Sequence, residues 1–107
     1  MPVIRIDFDD EKVKKKDIVN LSKAIQTIVS NVTNIDDVFV YANSSQIKIN
    51  VAPIEIFIQM SAHKIKNVDA LVRKIKSELL FWKKQQKFGH PINMTFVPMD
   101  WKIELGI

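Results

Sequence analysis

Met1-Pro2-Val3-Ile4-Arg5-Ile6-Asp7-Phe8 is the stretch on which the fold turns. Its residues alternate, with Pro2, Ile4, Ile6 and Phe8 on one face and Val3, Arg5 and Asp7 on the other. A period of two is the mark of a half-buried strand. Proline is tolerated as the first residue of a strand, because it has no N–H to give to the ladder. The strand is therefore expected to begin at Pro2, with no leader before it. If Met1 is removed, the chain starts with a prolyl secondary amine, held at the edge of a sheet.

The next elements follow from periodicity. Asp9 to Lys16 form a charged connection that starts a helix or lies just before one. Asp17 suits a helix N-cap, where its carboxylate accepts from the orphan N–H groups of the first turn. Ile18, Leu21, Ile25, Ile28, Val29 and Val32 recur at three- and four-residue steps, an apolar stripe on about four turns of helix. Val38 to Tyr41 read as a strand and Ala42 to Ser45 as a turn. Gln46 to Val51 alternate, and are expected to pair back as an extra hairpin strand. Ile54 to Met60 form another strand. Asn67 caps a second helix with the stripe Val68, Leu71, Val72, Ile75, Leu79 and Trp82, closed by Gly89 and Pro91. Ile92 to Val97 are the last strand, ended by Pro98, and the tail from Met99 to Ile107 wraps over the domain.

The two halves repeat. A shift of fifty carries Ile4, Ile6 and Phe8 onto Ile54, Ile56 and Ile58, and Asp17 onto Asn67. It also carries Ile18, Leu21, Ile25 and Val29 onto Val68, Leu71, Ile75 and Leu79. The expected fold is α+β: two pseudo-symmetric βαβ units in one mixed four- to five-stranded sheet, with both helices on one face. Right-handed crossovers in related halves place their helices on the same side. The opposite face carries Val3, Arg5, Asp7, Glu55, Phe57 and Gln59. That mixture suits solvent, a ligand or burial between copies.

Composition narrows the function. The 107 residues make one domain, residues 1–107, with 47% hydrophobic and 26% charged residues, ordinary values for a globular protein. No apolar run approaches the roughly 18 residues of a membrane span. Cysteine is absent, which removes disulfides and thiol chemistry and fits a reducing, cytoplasmic setting. The net charge of +4 comes from fourteen lysines and two arginines. The lysines are scattered and form a solvated surface; only Arg5 and Phe57 pair a basic with an aromatic residue on a sheet face. Nucleic-acid binding therefore ranks last. Two glycines leave no phosphate-cradling loop, and His63 and His90, without paired spacing, offer no metal site. No cofactor is expected.

A chain that opens Met-Pro-apolar-Ile-x-Ile and continues through helix, strand, hairpin and a second βαβ copy resembles the tautomerase superfamily. That group includes 4-oxalocrotonate tautomerase and macrophage migration inhibitory factor. The length is similar to that of its fused two-copy members, among them a bacterial branch of about 110 residues with an aromatic tail. The resemblance implies a single tautomerase-like domain, a homotrimer around a central channel, and a small keto or enol acid as substrate. It implies one catalytic position, the nitrogen of Pro2 as general base. A free α-amino group, with a pKa near 8, needs only a modest downward shift to act at neutral pH.

Relatives hold the substrate carboxylate with arginines or a lysine. The corresponding candidates are Arg5, Lys48 and Arg73, each with a salt bridge or solvated surface as its ordinary role. Phe57, Phe96 and Trp101 are candidate apolar walls, with Trp101 the best placed for a pocket or interface. Tyr41 reads as a core-edge residue, Ser44 and Ser45 as turn residues. His63 follows a strand end, and His90 sits in an exposed turn. The functional expectation is an isomerase built on Pro2. The alternative is a catalytically silent trimer of the same fold, favoured by the sparse arginine set.

Overall fold

The computed structural model describes residues 2–100 and 106. β1 spans Val3–Phe8, α1 Lys15–Thr33, β2 Phe39–Asn43 and β3 Ile54–Ser61. A 3-10 turn covers Ala62–Lys64, followed by α2 over Val68–Gln86 and β4 over Asn93–Met99. The sheet order is β2-β1-β3-β4. β1 runs parallel to β2 and antiparallel to β3, and β3 runs parallel to β4. Each parallel pair is joined through its own helix, as the expected βαβ halves require. β1 is an inner strand, so Pro2 stands at the end of the sheet and not at its edge.

Alternation decides which face is covered. Ile4, Ile6, Ile54, Ile56 and Ile58 are all fully buried, and they share one core with Ile18, Leu21, Ile25 and Val29 of α1 and Ile75 and Leu79 of α2. Burying each of these side chains stabilises the fold by roughly 1.5–3 kcal/mol. On the other face Arg5 is exposed, and Val3, Asp7, Glu55, Phe57 and Gln59 are half-buried. The register places Phe39 beside Val3 and Tyr41 beside Arg5 on that same face, and both aromatics are exposed. Tyr41 is therefore a surface residue of β2.

Four details depart from the sequence reading. Gln46 to Val51 form no strand: Ile47 and Ile49 have no face to bury, and Asn50 takes a left-handed φ of 55° that interrupts an extended run. α1 begins before Asp17, with Lys14 at the N-cap position and no side-chain cap. Asp17 lies inside the first turn, where its charge still complements the helix dipole. α2 closes earlier than Gly89, on Lys87 at φ 53°, whose N–H reaches the carbonyls of Lys83 and Lys84. β4 continues through Pro98 to Met99, because an edge strand can spare one N–H. The Asn67 cap is present, its Oδ1 accepting from the Ala70 N–H at 3.1 Å. Met1 and the tail residues Trp101 to Leu105 and Ile107 lie outside the described residues, and so do the expectations for Met1 removal and Trp101.

Candidate active site

Pro2 is fully buried. Its carbonyl accepts from the Phe39 N–H at 3.2 Å, which ties the start of β1 to the start of β2. Extending the β1–β3 register by one residue sets Pro2 opposite Met60, and Met60 in turn pairs with Pro98 of β4. The strand ends thus surround Pro2 with apolar groups. Next to Met60 an open groove of about 530 Å³ runs between the end of α1 and the start of α2. Asn34, Ile65, Lys66, Leu71 and Lys74 line it with Met60. His63, on the 3-10 turn after β3, is exposed, with Nε2 3.4 Å from the Asp100 carboxylate.

The other candidates lie elsewhere. Arg5 is on the helix-free face; its Nε donates to the Asp7 carboxylate at 3.1 Å, and its guanidinium stacks 4.5 Å above the Phe57 ring. Lys48 is at the far end of β1. It donates to Asp9 at 2.9 Å and also to Asp10. Pro2 and Asp9 are separated by roughly 23 Å of extended strand. Arg73 is exposed on α2, one residue before the groove-lining Lys74. The fold does not bring Pro2, Arg5 and Lys48 together within one chain. Lys66 and Lys74, which do flank the groove near Pro2, were not singled out by sequence. Both are lysines in a lysine-rich chain, and only the packing of α2 beside β3 distinguishes them.

The Lys48 end forms its own structure. Asp9 is only 4% exposed. Its carboxylate also accepts from the Glu11 N–H at 3.1 Å, and its N–H donates to the Pro53 carbonyl at 3.0 Å. The hydrogen bond from Lys48 holds both Asp9 and Asp10 below the usual carboxylate range. The same two hydrogen bonds, Asp10 first, push Lys48 up to about 12. This cation is neutralised twice over, and it pins the connection between β2 and β3 to the loop after β1.

His90 is half-buried. It packs edge-on against Phe88 at 5.2 Å, with Nε2 3.5 Å from Asp17. It belongs to the closure of α2 against α1 and not to an exposed turn. Among the described residues no three His, Asp or Glu side chains gather as metal ligands, and no helix is long and apolar enough to cross a membrane.

No family model matches the chain, and no curated protein matches it in sequence. Solved structures match it in fold. Against malonate semialdehyde decarboxylase the TM-score is 0.70 at 9% identity, over 98% of this chain and 92% of that one. That enzyme, described with decarboxylase and hydratase activities, was solved as wild type, with its first-position proline changed to alanine, and inactivated. A fused 4-OT asymmetric trimer gives 0.66 at 10% identity, covering 94% and 91%. A macrophage migration inhibitory factor-like protein from Entamoeba histolytica gives 0.62 at 14% identity, covering 96% and 95%. The chain thus has the tautomerase-superfamily fold, a mixed four-stranded sheet with two helices on one face.

Proposed function

We propose that the chain, once Met1 is removed, is a tautomerase-like isomerase that uses the Pro2 nitrogen as general base on a small keto or enol acid. The observation that carries this reading is the position of Pro2: fully buried, at the end of an inner strand, in this fold. Burial disfavours the protonated amine, and so draws a free prolyl nitrogen towards a neutral, basic form at physiological pH. The nitrogen takes a proton from the carbon beside the substrate carbonyl, or from the enol oxygen. It returns that proton to the other position, with no net change in atoms or charge. Lys66 and Lys74 in the adjacent groove, with Arg73 beside them, are the cations placed to hold the carboxylate. Arg5 and Lys48 are occupied by acids of their own chain, and they would serve only across an interface.

A homotrimer is part of the proposal. The helix-free face carries Phe39, Tyr41 and Phe57, and the β2–β3 connection presents Ile47 and Ile49 at 85% and 86% exposure. Apolar surface of this kind marks an interaction site. Arg5 on that face stands among Asp7 and Glu55, which disfavours nucleic acid as the partner. The protein acts in this reading as a single cytoplasmic domain without a cofactor.

Mass spectrometry of the mature protein is the first test: a mass that retains Met1 leaves an amide at Pro2 and ends the proposal. With Met1 absent, ketonisation of phenylenolpyruvate is compared for wild type and Pro2→Ala, and equal rates would remove Pro2 from the chemistry. Sedimentation at low micromolar concentration tests the trimer. The second reading, a silent trimer of the same fold, is favoured by the engagement of Arg5 and Lys48 with acids. It predicts a trimer in which neither protein ketonises the probe.

A further inference from the structure

On the outer side of the two helices, away from Pro2 and from the helix-free face, an open groove of about 580 Å³ runs between α1 and α2. Ile28 forms part of its floor, Phe81 and Trp82 flank it, and Asn20 and Gln85 supply amides. Phe81 is 63% exposed although it is one of the largest apolar side chains on the helix. Glu78 also lines the groove, and its Oε2 is buried with no hydrogen-bond partner. A buried carboxylate oxygen without a donor is unfavourable, and such groups call for an explanation. Lys23 stands on the α1 side of the groove and makes no ion pair with Glu78 among the described contacts.

We infer that this groove binds a small organic cation bearing an alkylammonium or guanidinium group. Glu78 is its counter-ion, and Phe81 and Trp82 pack against its alkyl stem and charged head. The chemistry is complementary at Glu78, Phe81 and Trp82, and Lys23 on the α1 side sets the cation's charged head towards the α2 wall. A cationic N–H donor satisfies the orphan oxygen with a charge-assisted bond. Aromatic faces attract a desolvated cation through their quadrupole, and the amides accept from remaining N–H groups. An anion would meet the Glu78 charge, and a neutral apolar ligand would leave the carboxylate unsatisfied. The site lies on the helical layer, so it stays open if copies pack through the opposite sheet face, and it is independent of Pro2 chemistry.

The test uses the full chain and NMR. Agmatine and putrescine, one carrying a guanidinium group and both carrying ammonium, are titrated while amide shifts of Ile28 and Glu78 and the Trp82 indole N–H are followed. 1,4-Butanediol is the neutral control. Saturable shifts confined to the groove are expected for both cations and not for the diol. Glu78→Gln, which keeps the side chain's size, should weaken binding about tenfold or more, since a hydrogen bond to a charged group is worth roughly 1.5–3 kcal/mol. Phe81→Ala should weaken it about threefold, on the order of an exposed cation–π contact. The inference is overturned by the absence of saturable shifts with either cation. Equal affinity in Glu78→Gln, or diol binding as tight as the cations', overturns it too.

Discussion

Two prolines stand at corresponding points of the molecule. Pro2 precedes β1 and Pro53 precedes β3, and because those strands are antiparallel the prolines mark opposite ends of the sheet. Each carbonyl accepts from a neighbouring backbone N–H, Pro2 from Phe39 at 3.2 Å and Pro53 from Asp9 at 3.0 Å. There the likeness ends. The Pro53 nitrogen is acylated by Ala52 and has no basic lone pair. Only Pro2 can become a free amine. The Pro53 end is filled by the Asp9–Lys48–Asp10 cluster, whereas at the other end Met60, opposite the buried Pro2, lines a groove flanked by Lys66 and Lys74. In the proposed reading, one end of the repeated scaffold carries the reactive nitrogen and the other is locked by ion pairs.

The largest expected difference between the two ends is catalytic. Pro2→Ala should lower ketonisation by about a hundredfold or more, the range of a lost general base, and Pro53→Ala should leave the rate unchanged. Steady-state kinetics on both variants decides this, and a matching loss in Pro53→Ala would break the comparison.

The two helices give the next contrast. Leu21 of α1 is fully buried, whereas Leu71 of α2 is only half-buried against the same core. Leu21→Ala should cost about 2–5 kcal/mol in urea unfolding, and Leu71→Ala clearly less, because the cavity and transfer terms scale with burial. Equal losses would show that the halves share the core evenly. Their caps differ as well. Asn67→Ala should cost about 1 kcal/mol. Lys14→Ala, with no side-chain cap to lose, should stay within about 0.5 kcal/mol of wild type.

The smallest effect belongs to the locked end and is read through pH. Asp9 and Asp10 titrate below their ordinary 3.8, so the stability they lend is present above that value and is lost as pH falls through the lowered ones. Lys48 is raised from 10.5 to about 12, so its share is whole below pH 10.5 and is lost as pH rises towards 12. Lys48→Met should flatten the stability profile at both extremes. It should also speed hydrogen exchange over residues 44–52. An unchanged profile would remove the cluster as the lock.

Much of the fold was legible. The alternation over Pro2 to Phe8 identified the buried face correctly at Pro2, Ile4 and Ile6, since one residue's slip would have put Arg5 in the core. The shift of fifty found the second half, but it misplaced the start of α1. Lys15 and Val68 begin the two helices fifty-three positions apart. An apolar stripe repeats every three to four residues, so a slip of one turn leaves it in register, and Asp17 looked like the partner of Asn67 when it was not. Gln46 to Val51 failed for a different reason. Alternation describes a strand only where a partner edge and a face to bury exist, and in the single chain Ile47 and Ile49 have neither. Lys66 and Lys74 carried no local signal at all.

The strand faces, the helical stripes, the Asn67 cap and the one nitrogen that can be a free secondary amine are all readable from the residues alone. Each depends on local covalent chemistry or on a short period. The packing of the chain made β1 an inner strand, locked Lys48 twenty-odd ångströms from Pro2 by strand geometry, and set the Glu78, Phe81 and Trp82 face of α2 against α1 in a groove. Those facts depend on which distant segments pack together, and neither spacing nor composition records that.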